Sequence, residues 1–164
     1  QAYFEYLNID DQAIGWLNEF ENLIISRTFS KAYGLAGLRV GYSICSAQIA
    51  DYINRVREPF NVNHTAQMAA IAALGDDKYL SDSVKMNSDG YSQLVKGFEA
   101  FKLNYIPSYA NFIAVEFKDA MSTYNNLLKE GVIVRPVEMK NYLRISIGTP
   151  NENDHLLEAL GKVL

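Results

Sequence analysis

The chain has 164 residues, 49% of them hydrophobic and 21% charged, with a net charge of −4, which suits one ordinary globular domain or two small ones and excludes a disordered composition. That acidic balance offers no basic face for nucleic acid or an anionic membrane, and no apolar run approaches the roughly 20 residues a membrane-spanning helix needs. A single cysteine, Cys45, excludes an internal disulfide and suits a reducing, cytoplasmic compartment, while His64 and His155 stand far apart and argue against a zinc site.

The opening "QAYFEY" lacks an initiator Met and reads as a strand end already under way, so the chain is expected to be a fragment of a longer protein. Residues Asp10–Glu21 have a helical period. Asn22–Phe29 ("NLIISRTF") is a β-branched apolar run ending in polar residues, a buried strand entering a loop, and Arg39–Ser46 is a second strand. Ser46–Glu58 places Ile49, Tyr52, Ile53 and Val56 on one helical face, with Ser46 as N-cap and Pro59 as terminator. Asn63–Asp76 is an alanine-rich helix stopped at Gly75. Asp77–Leu103 is helical, with a break or kink expected at Gly90 and Gly97. The pattern then changes. Asn111–Phe117 alternates as a strand, Asp119–Gly131 is a helix ended by glycine, Val132–Val137 and Tyr142–Gly148 are strands, and Thr149–Leu164 is a helix with Thr149 at the N-cap and Pro150 behind it. This predicts an α/β region over residues 1–85 followed by a small α+β domain over residues 86–164.

The chemistry concentrates in "SRTFSKAYGLAGLRVGY" (Ser26–Tyr42). Thr28 and Ser30 supply hydroxyls, Arg39 a planar cation suited to phosphate, and Gly34 and Gly37 allow tight turning and close backbone approach. Together they form a candidate phosphate cradle with Lys31 inside it. An amine beside a bound phosphate is placed to condense with a phosphorylated aldehyde, a covalent role that lysine commonly fills. A Ser-Lys pair alone on a loop is ordinary solvent decoration; two hydroxyls, a lysine, two glycines and an arginine between two apolar strands are harder to obtain by chance.

This stretch resembles the cofactor-lysine motif of the fold-type-I, pyridoxal 5'-phosphate (PLP)-dependent class I/II aminotransferases, and within them it is most similar to the histidinol-phosphate aminotransferases. "QAYFEY", "REPFNVNHTAQMAAIAAL", "ANFIAVEF", "GVIVRP" and "YLRISIGTPNEN" resemble other segments of that group in the same order. The likeness covers nearly the whole chain but only the C-terminal half or so of the family's length. It implies the end of the PLP-binding large domain over residues 1–85 and the small C-terminal domain over residues 86–164.

By the same resemblance, Lys31 is the catalytic residue. It binds PLP covalently and then moves the proton. Tyr3 touches the phenolic oxygen of the cofactor, and Thr28, Ser30 and Arg39 surround its phosphate. Arg135 and Arg144 grip substrate anions, with Asn61 beside the site. No metal is implied. The family's aspartate at the pyridine nitrogen would stand immediately before Gln1, so this stretch by itself is not expected to be a competent transaminase. The implied reaction is transamination of histidinol phosphate with glutamate and 2-oxoglutarate in histidine biosynthesis, by a cytoplasmic homodimer. The alternatives are a related PLP enzyme, such as a threonine-phosphate decarboxylase or another amino acid aminotransferase, and a non-catalytic fragment serving as an assembly surface.

Overall fold

The computed structural model describes residues 1–7 and 12–164, which divide into two compact units, Gln1–Ser83 and Val84–Leu164. Among the described residues no helix is long and apolar enough to cross a membrane.

The first unit opens with a single 3₁₀ turn over Phe4–Tyr6 and the short helix α1 (Gln12–Trp16). The helix expected over Asp10–Glu21 is therefore brief: residues 10 and 11 lie outside the described residues, and after Trp16 the chain continues in turns to Leu23. Strands β1 (Ile24–Thr28) and β2 (Gly41–Cys45) pair antiparallel, with Ile24 opposite Cys45 and Thr28 opposite Gly41. Gly41 is required at that position, since a Cβ there would lie 2.6 Å from the carbonyl oxygen of Arg27. Helix α2 (Ala47–Val56) is capped by the Ser46 hydroxyl, which accepts from the Ile49 N–H, and α3 (His64–Leu74) by Asn63, whose Oδ1 accepts from the Ala66 N–H at 2.8 Å. Gly75 ends α3. A small core of Phe29, Val40, Ala66 and Ala70, flanked by Tyr33, Leu35, Leu38 and Val62, fastens the loop between β1 and β2 to α3.

Helix α4 (Asp77–Ala100) is continuous through Gly90 and Gly97, where a break had been expected. Both glycines mark close packing instead. A Cβ on Gly90 would lie 2.7 Å from Ile147 Cγ2 and 3.0 Å from both Asn153 Nδ2 and the Gly148 oxygen, and a Cβ on Gly97 would collide with Leu157. The missing side chains let other segments approach, which offsets the propensity cost of each glycine.

The second unit is a four-stranded antiparallel sheet in the order β3–β4–β6–β5. Its strands are β3 (Tyr105–Ile106), β4 (Phe112–Glu116), β5 (Arg135–Pro136) and β6 (Tyr142–Ser146). β3 has no alternating run to announce it. β5 is much shorter than the run Val132–Val137 suggested: the Val132 N–H donates back to the Leu127 carbonyl at the end of the preceding helix (2.9 Å), and only Arg135 and Pro136 pair with β6. Ile113 and Val115 of β4 and Leu143 and Ile145 of β6 are buried on one face against Leu94 and Phe98 of α4, Leu127 of α5 (Ala120–Lys129), and Leu156 and Leu160 of α6 (Pro150–Val163). The period-2 alternation thus leaves Phe112, Ala114 and Arg144 on the other face. Asp119 caps α5, and Gly131, at φ +78, follows its last turn.

The turn from β6 into α6 is latched by Asn153, which is 1% exposed. Its Nδ2 donates to Gln93 Oε1 (3.0 Å) and the Gly148 carbonyl (3.1 Å), and its Oδ1 accepts from the Gly148 N–H (3.0 Å). At the start of α6 the Thr149 N–H and hydroxyl both donate to the Glu152 carboxylate at 2.8 Å, which holds that carboxyl below its usual range.

Two outcomes are expected. Gly90→Ala should destabilise the protein by about 1–3 kcal/mol through overpacking, while Lys96→Ala on an exposed position of the same helix should stay within about 0.5 kcal/mol; denaturant melts distinguish the two. Folding lowers the Glu152 pKa, so its contribution is complete above the ordinary carboxylate range and is lost as pH falls through the folded value. Glu152→Gln should therefore lower stability near neutral pH and flatten the loss as pH falls through and below the ordinary carboxylate range, read from melts at a series of acidic pH values.

Candidate functional site

In the first unit the hairpin presents Lys31 just beyond β1. Phe29 continues the pairing past Thr28, its N–H donating to the Val40 carbonyl at 3.2 Å. Thr28 Oγ1 then accepts from the Ser30 N–H at 3.1 Å, an ST-type turn that bends the chain out of the strand. The chain closes on itself at once: the Gly34 N–H donates to the Lys31 carbonyl and the Leu35 N–H to the Phe29 carbonyl, both at 2.9 Å. Gly34 sits at φ +72, the left-handed region that glycine tolerates. Lys31 is half-buried, between the buried residues Phe29 and Ala32.

The Lys31 Nζ lies 5.1 Å from the centroid of the Tyr3 ring, brought there by the segment that leads into the 3₁₀ turn. Among the described residues no carboxylate pairs with it. Residues 28 positions apart in sequence therefore share one site, and the amine faces an aromatic surface rather than a neutralising acid. Arg39 reaches the same hairpin mouth from the other side, one residue before Val40. Its φ of 55 is left-handed, an arrangement costing a non-glycine residue roughly 1–2 kcal/mol, and its Nη1 donates to the Ala36 carbonyl at 2.9 Å. Asn61 is exposed and its Oδ1 accepts from Arg57 at 3.1 Å, a bond local to the loop that follows α2.

In the second unit Arg135 and Arg144 are direct cross-strand partners on β5 and β6. Two like charges in register are unfavourable in a sheet. The Arg144 guanidinium lies 4.6 Å from the centroid of the Phe112 ring, and its Nε is buried without a hydrogen-bond partner among the described residues. Phe112 was absent from the candidate set. The alternation of β4 puts it on the helix-free face, but only the β4–β6 register, with Phe112 opposite Ser146, sets it diagonally beside Arg144.

The chemistry available is thus an amine facing an aromatic ring, with two hydroxyl residues and an arginine on the same hairpin, and a pair of cations on a sheet face. The family model described as aminotransferase class I and II matches residues 2–160. "Histidinol-phosphate aminotransferase 2" of Pseudomonas aeruginosa is 54% identical over 170 residues, covering all of this chain and 46% of its own length. Histidinol-phosphate aminotransferase of Methylobacillus flagellatus is 52% identical over 169 residues, with the same coverage. The crystal structure of histidinol-phosphate aminotransferase from Sinorhizobium meliloti in complex with pyridoxal-5'-phosphate superposes with a TM-score of 0.87 at 32% identity, over 99% of this chain and 47% of that one. The chain spans about half the length of the curated relatives it matches.

Replacing Arg144 by Met keeps the contact with Phe112 and removes a buried, unpartnered N–H. The Arg144→Met variant should therefore melt within about 1 kcal/mol of the unaltered protein yet lose phosphate-induced chemical-shift changes on β5 and β6, as measured by NMR titration.

Proposed function

The chain belongs to the class I and II aminotransferase family, and from that premise we propose that it is the part of a PLP-dependent histidinol-phosphate aminotransferase that carries the cofactor lysine and a substrate-anion site. The observation that carries this reading is the Lys31 amine, half-buried, facing the Tyr3 ring and paired with no acid among the described residues. The donor set suits PLP: a primary amine for its aldehyde, the Thr28 and Ser30 hydroxyls and the Arg39 guanidinium for its phosphate, and the Tyr3 phenol for its ring oxygen. When bound, PLP supplies the electron sink that makes the substrate Cα–H acidic.

The chain's own residues do the rest. Lys31 Nζ, once released, is the base that holds the proton taken from Cα. The Tyr3 ring limits where that amine can move. Arg39 anchors through charge-assisted hydrogen bonds, the strongest polar contacts in the set. Arg135 and Arg144 bind and orient substrate anions: the phosphate of histidinol phosphate in one half-reaction, a carboxylate of glutamate or 2-oxoglutarate in the other. Asn61 is assigned to substrate binding. Residues 1–85 are the end of the PLP-binding large domain and residues 86–164 the small domain. The working form is a cytoplasmic homodimer, a reducing setting in which the free Cys45 is at home.

The test is to add PLP to the protein, reduce with borohydride, digest and weigh the peptides. Label on Lys31 alone is expected. Scattered or absent label, both in this chain and in a longer protein containing it, would sink the proposal. In the longer protein, histidinol phosphate should yield the corresponding ketone while threonine phosphate, which carries the carboxyl group that histidinol phosphate lacks, should release no carbon dioxide; the pair of assays separates a transaminase from a decarboxylase. Arg39→Ala should weaken PLP binding by about tenfold or more, the loss of one charged hydrogen bond.

A further inference from the structure

We propose that Tyr79, on the first turn of α4, is a positioning residue for Lys31 that acts through Gly34. This rests on the assignment of Lys31 as the reactive amine. Asp76 caps α4 by accepting from the Tyr79 N–H at 2.9 Å, which sets the tyrosine at the helix start. Its hydroxyl oxygen then occupies the space a Gly34 side chain would need, since a Cβ built there collides with it. Gly34 is the residue whose N–H closes the turn onto the Lys31 carbonyl. Tyr79 thus presses on the far end of the turn that begins at the reactive lysine.

The same helix face holds the second partner. Ser83, one turn after Tyr79, brings its hydroxyl to the Tyr6 phenol, whose pKa it lowers against the larger effect of burial. Tyr6 ends the 3₁₀ turn that Tyr3 initiates. Two side chains at i and i+4 on α4 therefore touch both segments that bring Lys31 and Tyr3 together. Burial raises the pKa of Tyr6, and of Tyr33 beside the lysine, so both phenols stay neutral across the working range. Tyr79 itself is 50% exposed. It is not a core side chain, and its removal leaves no closed cavity. What it does supply is a contact at the one atom of the loop that cannot carry a side chain.

The test reads the loop directly and needs no cofactor. Amide hydrogen exchange at Gly34 and Leu35, and the pH profile of Lys31 reductive methylation resolved by peptide mass, are measured in the unaltered protein and in Tyr79→Ala, Gly34→Ala and the Gly34→Ala, Tyr79→Phe pair. Tyr79→Ala should raise exchange at Gly34 and Leu35 by about tenfold, displace the Lys31 profile, and leave the amides of the β1–β2 ladder unchanged. Gly34→Ala should do the same. Adding Tyr79→Phe, which deletes only the colliding oxygen, should recover part of the Gly34→Ala loss; the strain from φ +72 remains in both, so the recovery isolates the contact. Unchanged exchange at Gly34 and Leu35 in Tyr79→Ala overturns the proposal. So does an increase spread evenly over β1 and β2, which is general destabilisation, and so does a double variant no better than Gly34→Ala. If Tyr79→Ala fails to fold, the two Gly34→Ala variants decide alone. Absence of PLP label on Lys31 in the unaltered protein counts against the cofactor assignment only, because the exchange result does not depend on it.

Discussion

The turn from Lys31 to Gly34 is closed by one hydrogen bond at 2.9 Å and requires a left-handed residue at its end. The rest of the hairpin mouth is arranged around that closure. The Leu35 N–H returns to the Phe29 carbonyl, so the loop crosses back over the strand it came from. That crossing seats Phe29, Leu35 and Leu38 on α3 and leaves the Lys31 side chain pointing away from the small core, toward Tyr3. A Cβ at Gly34 would meet both backbone strain and the Tyr79 hydroxyl, so two separate requirements fall on one position.

The cations follow a shared logic. Arg39 adopts a backbone conformation that arginine disfavours, Arg135 and Arg144 face each other in register, and Arg144 buries an Nε with no partner among the described residues. The like-charge register and the buried Nε are costs that acceptors and opposite charge would offset, whereas the φ of Arg39 is a backbone cost set by the turn itself. Stability and function are therefore separable at these residues. The second unit gains its stability from the other face of the sheet, where a continuous apolar cluster links β4 and β6 to three helices.

The first unit is built differently. Its buried core is small, and it leaves Val56 at 82%, Phe60 at 95% and Ile71 at 65% exposure. Phe60 also holds a left-handed backbone at φ 57. Apolar surface of this extent is characteristic of a face that meets more protein.

Much of this was legible in the residues. A 3.6 period with the Ser46 cap marked α2, the Thr149 cap marked α6, and alanine content or a terminal glycine marked α3 and α5, because a helix end must satisfy its own backbone groups within a few residues and so writes its signature locally. The hydroxyl–lysine–glycine–arginine stretch pointed to Lys31 for the same reason, since its turn closes within six residues. What needed the tertiary structure is what depends on partners distant in sequence. Gly90 and Gly97 looked like breaks, and only the approach of Ile147, Asn153 and Leu157 shows them to be sites of close packing. The strand at Val132–Val137 shrank to two residues, its first N–H being taken by the Leu127 carbonyl at the end of α5. The alternation of β4 gives Phe112 its face, but its place beside Arg144, like that of Tyr79 against Gly34, has no sequence signal. Local backbone chemistry, set by hydrogen bonds a few residues long, was determined by the sequence alone; which side chains share a site was decided by strand register and helix packing, whose energies exist only between segments already folded.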